Sequence, residues 1–430
     1  MTQFSTSLWG DEGWAATLAI KPLIQIITRV ARDTSPPLYY LCLHTWMKIF
    51  GTSEVSIRWL SFLFFLGTAL TVYLIGKHFW DKRTGLLAAV LCLINPFLFI
   101  YAFEGRMYSL LALTTTLSVY FFLKKQRLGF ILATAAALYT HHFSIFVIAF
   151  EGLWRLGEIR FWQQPTRKTL KNLSDFFLIG LLYLPWFYPL YYQTSLVGSG
   201  FWLGRPDLKV FWVTVGKFLV GTGKEKARYW AFLLVAAVFV IRNWFKDKPK
   251  STFLLGWFSA PLVFTFIISQ FFQSIFFDRY MLISIPAACL ILASNRRKFS
   301  WPLILAIVIL LGNLNYHYFT HPTKRPFRQL ADFVKKEAAD LTLINHNAAA
   351  HHLWESKYYG VPAPIYAPTP LPFYVGTALM DPGDTISQVP DETTLGVITS
   401  APVEEVNLPG FHRTDFEQFG ELKFLWMKKN

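Results

Sequence analysis

The sequence predicts an α-helical protein that crosses a membrane many times and carries a small α/β domain at its C-terminus. Three observations support this class. Apolar residues make up 53% of the 430 residues and charged residues only 16%, whereas soluble domains carry about 25% charge. Apolar segments of membrane-spanning character follow one another up to residue 317. After His321, Pro, Asp, Glu and Lys return, and the pattern changes to short alternating helices and strands.

About ten segments have the apolar character of membrane spans. They are residues 56–76, 84–103, 107–123, 128–141, 143–157, 173–190, 227–241, 251–271, 280–294 and 300–317. Residues 128–156 could instead form one long helix. The links between spans decide, because a turn at Tyr139–Phe143 puts all the basic links on one side of the membrane, as expected of cytoplasmic loops. These links are residues 77–83, 124–127, 155–171, 242–250 and 296–298.

This arrangement divides the chain into two predicted domains. Residues 1–321 form the membrane domain, in which residues 1–55 are an outer loop, and residues 322–430 form a soluble outer domain. Within the loop, Pro36–Phe50 mixes apolar and aromatic residues with His44 and Lys48, which is typical of an interfacial helix. We also expect residues 207–221 on the outer surface. The soluble domain is predicted to contain helices at 325–338 and 349–358 and strands at 341–346, 363–366, 394–400 and 422–428.

The positions of the charges and the spacing of the cysteines argue against two other classes, a nucleic-acid-binding protein and a protein with a cysteine-bound metal. The formal charge of +15 would suit a nucleic-acid-binding protein. Most basic residues, however, lie in short links between apolar runs, so we predict no nucleic-acid partner. Cys42, Cys92 and Cys289 stand singly in apolar sequence without metal-type spacing, and we expect them to be packing residues.

Acidic residues stand beside the apolar segments on the predicted outer face. Asp11, Asp33 and Glu104 come from different loops, and carboxylates near hydrocarbon are costly and usually functional. A positioned carboxylate can act as a general base, and arginine binds phosphate through two parallel hydrogen bonds. The cations predicted on the same face are Arg58, Arg106, His141, His142 and Arg279. Together these residues indicate group transfer from a lipid phosphate.

Five short motifs follow one another along the chain. They are Asp11-Glu12, Asp33-Thr-Ser-Pro-Pro-Leu-Tyr-Tyr40, Glu104-Gly-Arg-Met-Tyr108, Tyr139-Thr-His-His-Phe143 and Asp278-Arg-Tyr280. In these motifs residues 5–320 resemble the GT-C membrane glycosyltransferases, in the branch similar to bacterial protein O-mannosyltransferases and the lipid A aminoarabinose transferase. The resemblance implies inverting transfer of a sugar from a polyprenyl-phosphate donor to a protein, glycan or lipid acceptor. It also implies a multi-pass protein of the cytoplasmic membrane whose active site faces outward.

The resemblance assigns roles to particular residues. It implies Asp11 as the catalytic base, Glu12 as its companion and Asp33 in the same pocket. The implied substrate-binding residues are Arg58, Glu104, Arg106, Tyr108, His141, His142, Arg279 and Tyr280. Relatives differ in metal dependence, so a divalent ion held by Asp11 and Asp33 stays an open alternative, and no other cofactor is expected.

The chain departs from its relatives at two points. Relatives often carry His or Lys before the Pro-Pro pair, where this chain has Ser35. We therefore expect that one phosphate or acceptor contact is either missing or supplied elsewhere, with His141 and Arg58 as the candidates. Relatives also open with a membrane helix before the acidic pair. This sequence has none there. Either the true start lies upstream of Met1 or the protein lacks that helix, and we favour the upstream start.

Structural roles are alternatives for each of these motifs. Asp11 and Glu12 could cap a short helix, Asp33 could cap the helix at 36–50, and Glu104 with Arg106 could form a structural ion pair. His141 and His142 could be turn residues bonded to backbone, and Arg279 with Tyr280 could anchor a span at the interface. At the level of function, a transporter or flippase would also need such charges, although it predicts charges at the bilayer midplane and related halves. A non-catalytic assembly protein is the third hypothesis.

Overall fold

The computed structural model describes residues 1–159, 167–221, 247–294, 301–346 and 351–430. Within these residues the chain is rich in helices and carries one small sheet near its C-terminus. The predicted span at 227–241 and the basic link at 296–298 lie outside the described residues.

The chain divides into two compact units. The terminal unit consists of residues 1–34, 40–58 and 320–430, and the helical unit consists of residues 35–39 and 59–319. The C-terminal boundary lies next to the predicted domain limit at residue 321. At the N-terminus the division differs, because most of the predicted outer loop belongs to the same unit as the C-terminal residues.

Twelve helices follow one another from residue 54 to residue 320 in the described parts of the chain. They are α4 (Glu54–Phe79), α5 (Lys82–Ile94), α6 (Pro96–Ala102), α7 (Tyr108–Lys124), α8 (Arg127–Thr140), α9 (Ser144–Ile159), α10 (Arg167–Tyr183), α11 (Phe187–Gly198), α12 (Leu208–Val220), α13 (Lys248–Phe271), α14 (Ile285–Ser294) and α15 (Trp301–Thr320). Among the described residues, α4 and α13 are long and apolar enough to cross a membrane, and the pair α5–α6 is a third candidate.

The predicted span at 84–103 is broken rather than continuous. Helices α5 and α6 meet at an angle of 66°. The break has a local cause at Asn95, whose backbone is extended and whose Oδ1 accepts the N–H of Leu98 at 2.9 Å. Pro96 then begins α6, a position that suits proline because its missing N–H has no partner there. The Asn95 amide also donates to the Phe218 carbonyl at 2.8 Å, which ties the break to α12.

Other predicted spans are also modified at their ends. The chain stops being helical between Thr140 and Ser144, so α8 and α9 are two helices, as the basic links predicted. The predicted span at 173–190 passes from α10 through a 3-10 turn, Leu184–Trp186, into α11. The predicted span at 280–294 opens as a 3-10 helix, Asp278–Ser284, before α14.

Among its described residues the terminal unit contains four complete helices and α3 from residue 40 onward. They are α1 (Gly10–Ala19), α2 (Leu23–Ala31), α3 (Leu38–Phe50), α16 (Phe327–Glu337) and α17 (His351–Tyr358). Helix α3 occupies the predicted interfacial segment. Helices α1 and α17 approach closely, since a Cβ atom on Gly13 would lie 2.9 Å from the backbone carbonyl carbon of Trp354. Only glycine permits this contact.

A six-stranded sheet completes the terminal unit. Its strands are β1 (Thr342–Asn345), β2 (Ile365–Tyr366), β3 (Thr385–Ile386), β4 (Thr394–Thr399), β5 (Phe411–Phe419) and β6 (Leu422–Lys429), in the order β3-β2-β1-β4-β6-β5. Strands β3, β2, β1 and β4 are parallel, whereas β6 and β5 are antiparallel to their neighbours. Leu330 of α16 packs with Ile398 and Phe424 in one buried cluster. Ile344 and Val397 belong to a second cluster.

Candidate active site

Two predicted site residues, Glu12 and Arg58, form a fully buried ion pair in the terminal unit. Both side chains have zero exposure. Arg58 donates from Nε to Glu12 Oε1 at 2.9 Å and from Nη2 to Oε2 at 2.7 Å. Lys324 donates from Nζ to the same Oε2 at 2.9 Å. The Glu12 carboxylate is therefore held by two cations, in the bidentate geometry that a buried pair needs to offset desolvation.

Every N–H group of Arg58 has an acceptor within the chain. Besides the Glu12 bonds, Nη1 donates to the carbonyls of Phe4 (3.0 Å) and Thr6 (2.6 Å), and Nη2 donates to that of Ser7 (2.9 Å). A guanidinium has five N–H donors, and all five are used here. This geometry argues against the predicted substrate contact of Arg58, and it makes both Arg58 and Glu12 structural anchors.

Asp11 and Asp33 have different surroundings from Glu12. Asp11 is the second residue of α1 and is half-buried. Asp33 is also half-buried and lies in the turn after α2, where its N–H donates to the Val30 carbonyl at 3.0 Å. Helix α3 begins at Leu38, so Asp33 is not its N-cap. Both acids are therefore partly accessible, whereas Glu12 is fully enclosed.

Four predicted substrate-binding residues come together in the helical unit. The guanidinium carbon of Arg279 lies 4.5 Å from the ring centre of Phe277, 5.6 Å from that of Tyr108 and 5.8 Å from that of Tyr280. The Tyr280 ring also contacts those of His141 (4.7 Å) and Phe143 (5.0 Å). We call these six residues the Arg279 cluster. Cations over ring faces are attracted by the ring quadrupole, so the aromatic side chains fix the position of the charge.

Glu104 and Arg106 lie in the turn between α6 and α7. The Arg106 N–H donates to the Glu104 carbonyl at 2.7 Å, which makes the turn tight. Glu104 is buried and Arg106 is half-buried. The charges of Arg106 and Arg279 both act on the buried His141 ring. A bound phosphate would neutralise two such positive charges.

Lys217 and Asp278 extend the Arg279 cluster, and sequence reasoning missed Lys217. Lys217 of α12 donates to Asp278 Oδ2 at 2.6 Å, and Asp278 Oδ1 accepts the N–H of Arg279 at 2.8 Å. Asp278 stands in one of the five motifs, but Lys217 lies in none. The alternation of Lys217 with apolar residues indicated only a surface helix.

Hydrogen bonds link His142 to the Pro-Pro motif. Its Nε2–H donates to Gln193 Oε1 at 2.7 Å, and its Nδ1 accepts the Tyr183 hydroxyl at 3.3 Å. Burial lowers the pKa of His142 to about 4, so the ring is neutral at pH 7. Gln193 in turn donates to the carbonyl of Ser35 at 3.3 Å. His142 therefore supports the residue that replaces the His or Lys of relatives.

The described residues also bear on metal binding. Across the described ranges, no three His, Cys, Asp or Glu side chains come together as a metal-binding group.

Comparisons with known proteins show which family and which solved structures this chain is similar to. Residues 34–192 match the family described as dolichyl-phosphate-mannose-protein mannosyltransferase. The structure is similar to that of apo ArnT from Cupriavidus metallidurans, with a TM-score of 0.71 and 13% identity over 98% of this chain and 94% of ArnT. The chain has the GT-C fold. The predicted resemblance to GT-C membrane glycosyltransferases is thereby confirmed.

Two further structures share the GT-C fold. ArnT from Cupriavidus metallidurans bound to undecaprenyl phosphate gives a TM-score of 0.66 at 13% identity, over 99% of this chain and 95% of ArnT. The Archaeoglobus fulgidus oligosaccharyltransferase in complex with Zn and sulfate gives 0.54 at 14% identity, over 92% of this chain and 64% of that protein. No curated protein sequence matches this chain.

Proposed function

We propose that this protein transfers a hexose or pentose from a polyprenyl-phosphate donor to an acceptor on the outer face of the cytoplasmic membrane. The observation that carries this proposal is the Arg279 cluster, which brings together four of the predicted substrate-binding residues in a fold shared with a protein whose structure contains undecaprenyl phosphate. The match of residues 34–192 to a mannosyltransferase family supports the same reaction class.

The proposed reaction is a single inverting displacement. The acceptor's nucleophile gives its proton to Asp11 and attacks the anomeric carbon of the sugar. The bond between that carbon and the phosphate oxygen breaks, and polyprenyl phosphate leaves with the electron pair. Arg106 and Arg279 stabilise its charge, because preorganised cations supply their stabilisation without reorganising during the step. Asp33 and Glu104 orient the sugar, and the rings of Tyr108 and Tyr280 hold Arg279 in place.

A transfer assay with variants of Asp11 tests the base. Purified protein in lipid is incubated with labelled undecaprenyl-phosphate sugars and a membrane-plus-wall extract. Asp11→Asn should abolish label transfer while the melting temperature stays unchanged. Asp332→Asn, which alters an exposed acid on α16, should transfer normally. Normal transfer by Asp11→Asn would remove Asp11 from the mechanism.

Variants of the two arginines test the phosphate site. Arg106→Ala and Arg279→Ala should lower donor use on the order of 100-fold, the scale of losing one oxyanion-type donor. Arg205→Ala removes an exposed arginine of the helical unit and serves as the matched control. Unchanged donor dependence in both site variants would contradict the assignment. Movement of the donor lipid across the bilayer without sugar transfer would instead favour the transporter hypothesis.

A further inference from the structure

The residues that precede α1 are held by polar side chains from distant parts of the terminal unit. We call residues 4–8 the N-terminal segment. The carbonyls of Phe4, Thr6 and Ser7 accept from Arg58, the Ser5 carbonyl accepts from Arg328 at 3.2 Å, and the Leu8 N–H donates to the Tyr359 hydroxyl at 2.8 Å. Each residue of the segment thus has a backbone group fixed by a side chain.

Two of the side chains that hold the N-terminal segment come from the C-terminal part of the chain and are joined through Glu54. Its Oε1 accepts from Arg328 Nε at 3.0 Å, from Arg328 Nη2, and from the Tyr359 hydroxyl at 2.8 Å. Burial and the Glu54 carboxylate raise the pKa of Tyr359. The hydroxyl therefore stays protonated, and it donates to Glu54 while accepting from Leu8.

The chain is held again directly after Asp11. Lys324 donates to the carboxylate of Glu12 at 2.9 Å, and Gly13 packs against the backbone of Trp354. Asp11 therefore lies between two stretches that are both fixed by residues after position 320. A reacting group that is misplaced by about 1 Å can lose about 100-fold in rate, so such fixation is directly relevant to a general base.

We infer that Lys324, Arg328 and Tyr359 are positioning residues for Asp11, so that the C-terminal part of the chain holds the catalytic acid in place. This inference rests on the proposed function. It gives the C-terminal α/β domain a task in the transfer step itself, in addition to any contact with the acceptor.

Neighbouring residues provide matched controls for the test. Tyr359→Phe removes the hydroxyl that binds Leu8 and Glu54, whereas Tyr358→Phe removes one that donates to the Thr52 carbonyl at 2.6 Å. Lys324→Ala removes the Glu12 contact, and Lys324→Arg keeps a cation there. Arg325→Ala breaks only a pair with Glu421, whose side chain is 76% exposed.

The full chain in lipid nanodiscs is measured in two ways. Hydrogen–deuterium exchange follows the amides of residues 4–13, and steady-state kinetics uses labelled undecaprenyl-phosphate hexoses and pentoses. Tyr359→Phe and Lys324→Ala should speed exchange in this segment and lower kcat about 10- to 100-fold, with the donor KM changed by less than about 2-fold. Lys324→Arg should restore kcat, and both controls should match the native protein.

Each alternative outcome would contradict one particular step of the inference. Unchanged exchange in Tyr359→Phe and Lys324→Ala would show that the contacts do not hold the segment. Faster exchange with native kcat would show that holding the segment does not serve the reaction. Either result overturns the inference. A native protein that turns over no donor would refute the proposed function, and the exchange contrast between Tyr359→Phe and Tyr358→Phe would then decide the holding step alone.

Discussion

Arg58 and Arg279 both lie near the start of a helical segment, Arg58 in α4 and Arg279 in the 3-10 helix before α14, yet the structure surrounds them with different partners. Arg58 has zero exposure and donates all five N–H groups to one carboxylate and three carbonyls. Arg279 lies over the rings of three aromatic residues. A guanidinium that donates to one buried carboxylate and three carbonyls serves as a structural link, whereas aromatic rings attract the charge of a guanidinium. The surroundings of an arginine, and not its motif, thus separate the structural anchor from the phosphate-binding candidate.

Removing Arg58 should produce the largest loss of stability. Arg58→Ala removes one of the two cations that hold the buried Glu12 carboxylate, and breaking one partner of a buried ion pair costs about 3–5 kcal/mol. Arg58→Lys should not restore stability, because a lysine cannot make the bidentate contact. Thermal unfolding of the full chain in detergent measures both. A melting temperature equal to that of the native protein would remove Arg58 as an anchor.

Removing Arg279 should affect stability less than it affects catalysis. Cation–π contacts contribute about 0.5–2 kcal/mol, so Arg279→Ala should unfold at a slightly lower temperature than the native protein. The same preparations, assayed for transfer, should show the large loss of donor use described above. Equal losses of stability in Arg58→Ala and Arg279→Ala would erase the contrast between the two arginines.

The neutral His142 should make the helical unit sensitive to acid. Its pKa of about 4 lies below the ordinary histidine value, so the unfolded chain binds the proton more readily than the folded chain. Its stabilising contribution is therefore complete above about pH 6.5 and is lost as the pH falls toward 4. Unfolding temperatures measured from pH 7.5 to 4 in the native protein and in His142→Gln should diverge least at the acidic end. Parallel curves would contradict this assignment.

The smallest effect is expected at the surface pair of Arg325 and Glu421. Both side chains are substantially exposed, and exposed pairs contribute about 0–1 kcal/mol. Arg325→Ala should leave the unfolding temperature nearly unchanged, even though it removes an arginine next to Lys324. A large drop in the unfolding temperature would mean that stability in this region depends on where an arginine lies along the chain. It would not then depend on how many of its N–H groups are hydrogen-bonded.

Much of the fold followed from local patterns in the sequence. The charge of the links placed a turn between residues 139 and 143, where α8 ends and α9 begins. Apolar runs predicted β1, β4 and β6, because many residues of these strands are buried. Strand β5 was not predicted. Most of its residues are exposed, so it has no apolar pattern, and it exists through pairing with β6.

The candidate site was predictable only in part. The motifs named four residues of the Arg279 cluster, because charged and aromatic residues at span ends stand out in apolar sequence. They named Asp11 as the base and Glu12 as its companion, but they could not show that one of these adjacent acids is half-buried and the other has zero exposure. That difference depends on Arg58 and Lys324, which lie 46 and 312 residues from Glu12 along the chain. Contacts at such separations leave no periodic trace in a sequence.

The terminal unit joins two parts of the chain that are far apart in sequence, and this has a consequence for biosynthesis. Its early part ends at Arg58, and its late part begins at Thr320. A ribosome adding about 5–20 residues per second needs roughly 15–50 s to cover the interval. During that time Glu12 and Arg58 have been synthesised but Lys324 has not. The backbone around Asp11 likewise lacks its contacts with Arg328 and Tyr359. The general base proposed here would thus be assembled last, after the intervening helices have left the ribosome, and the nascent chain would acquire activity only when its synthesis is nearly complete.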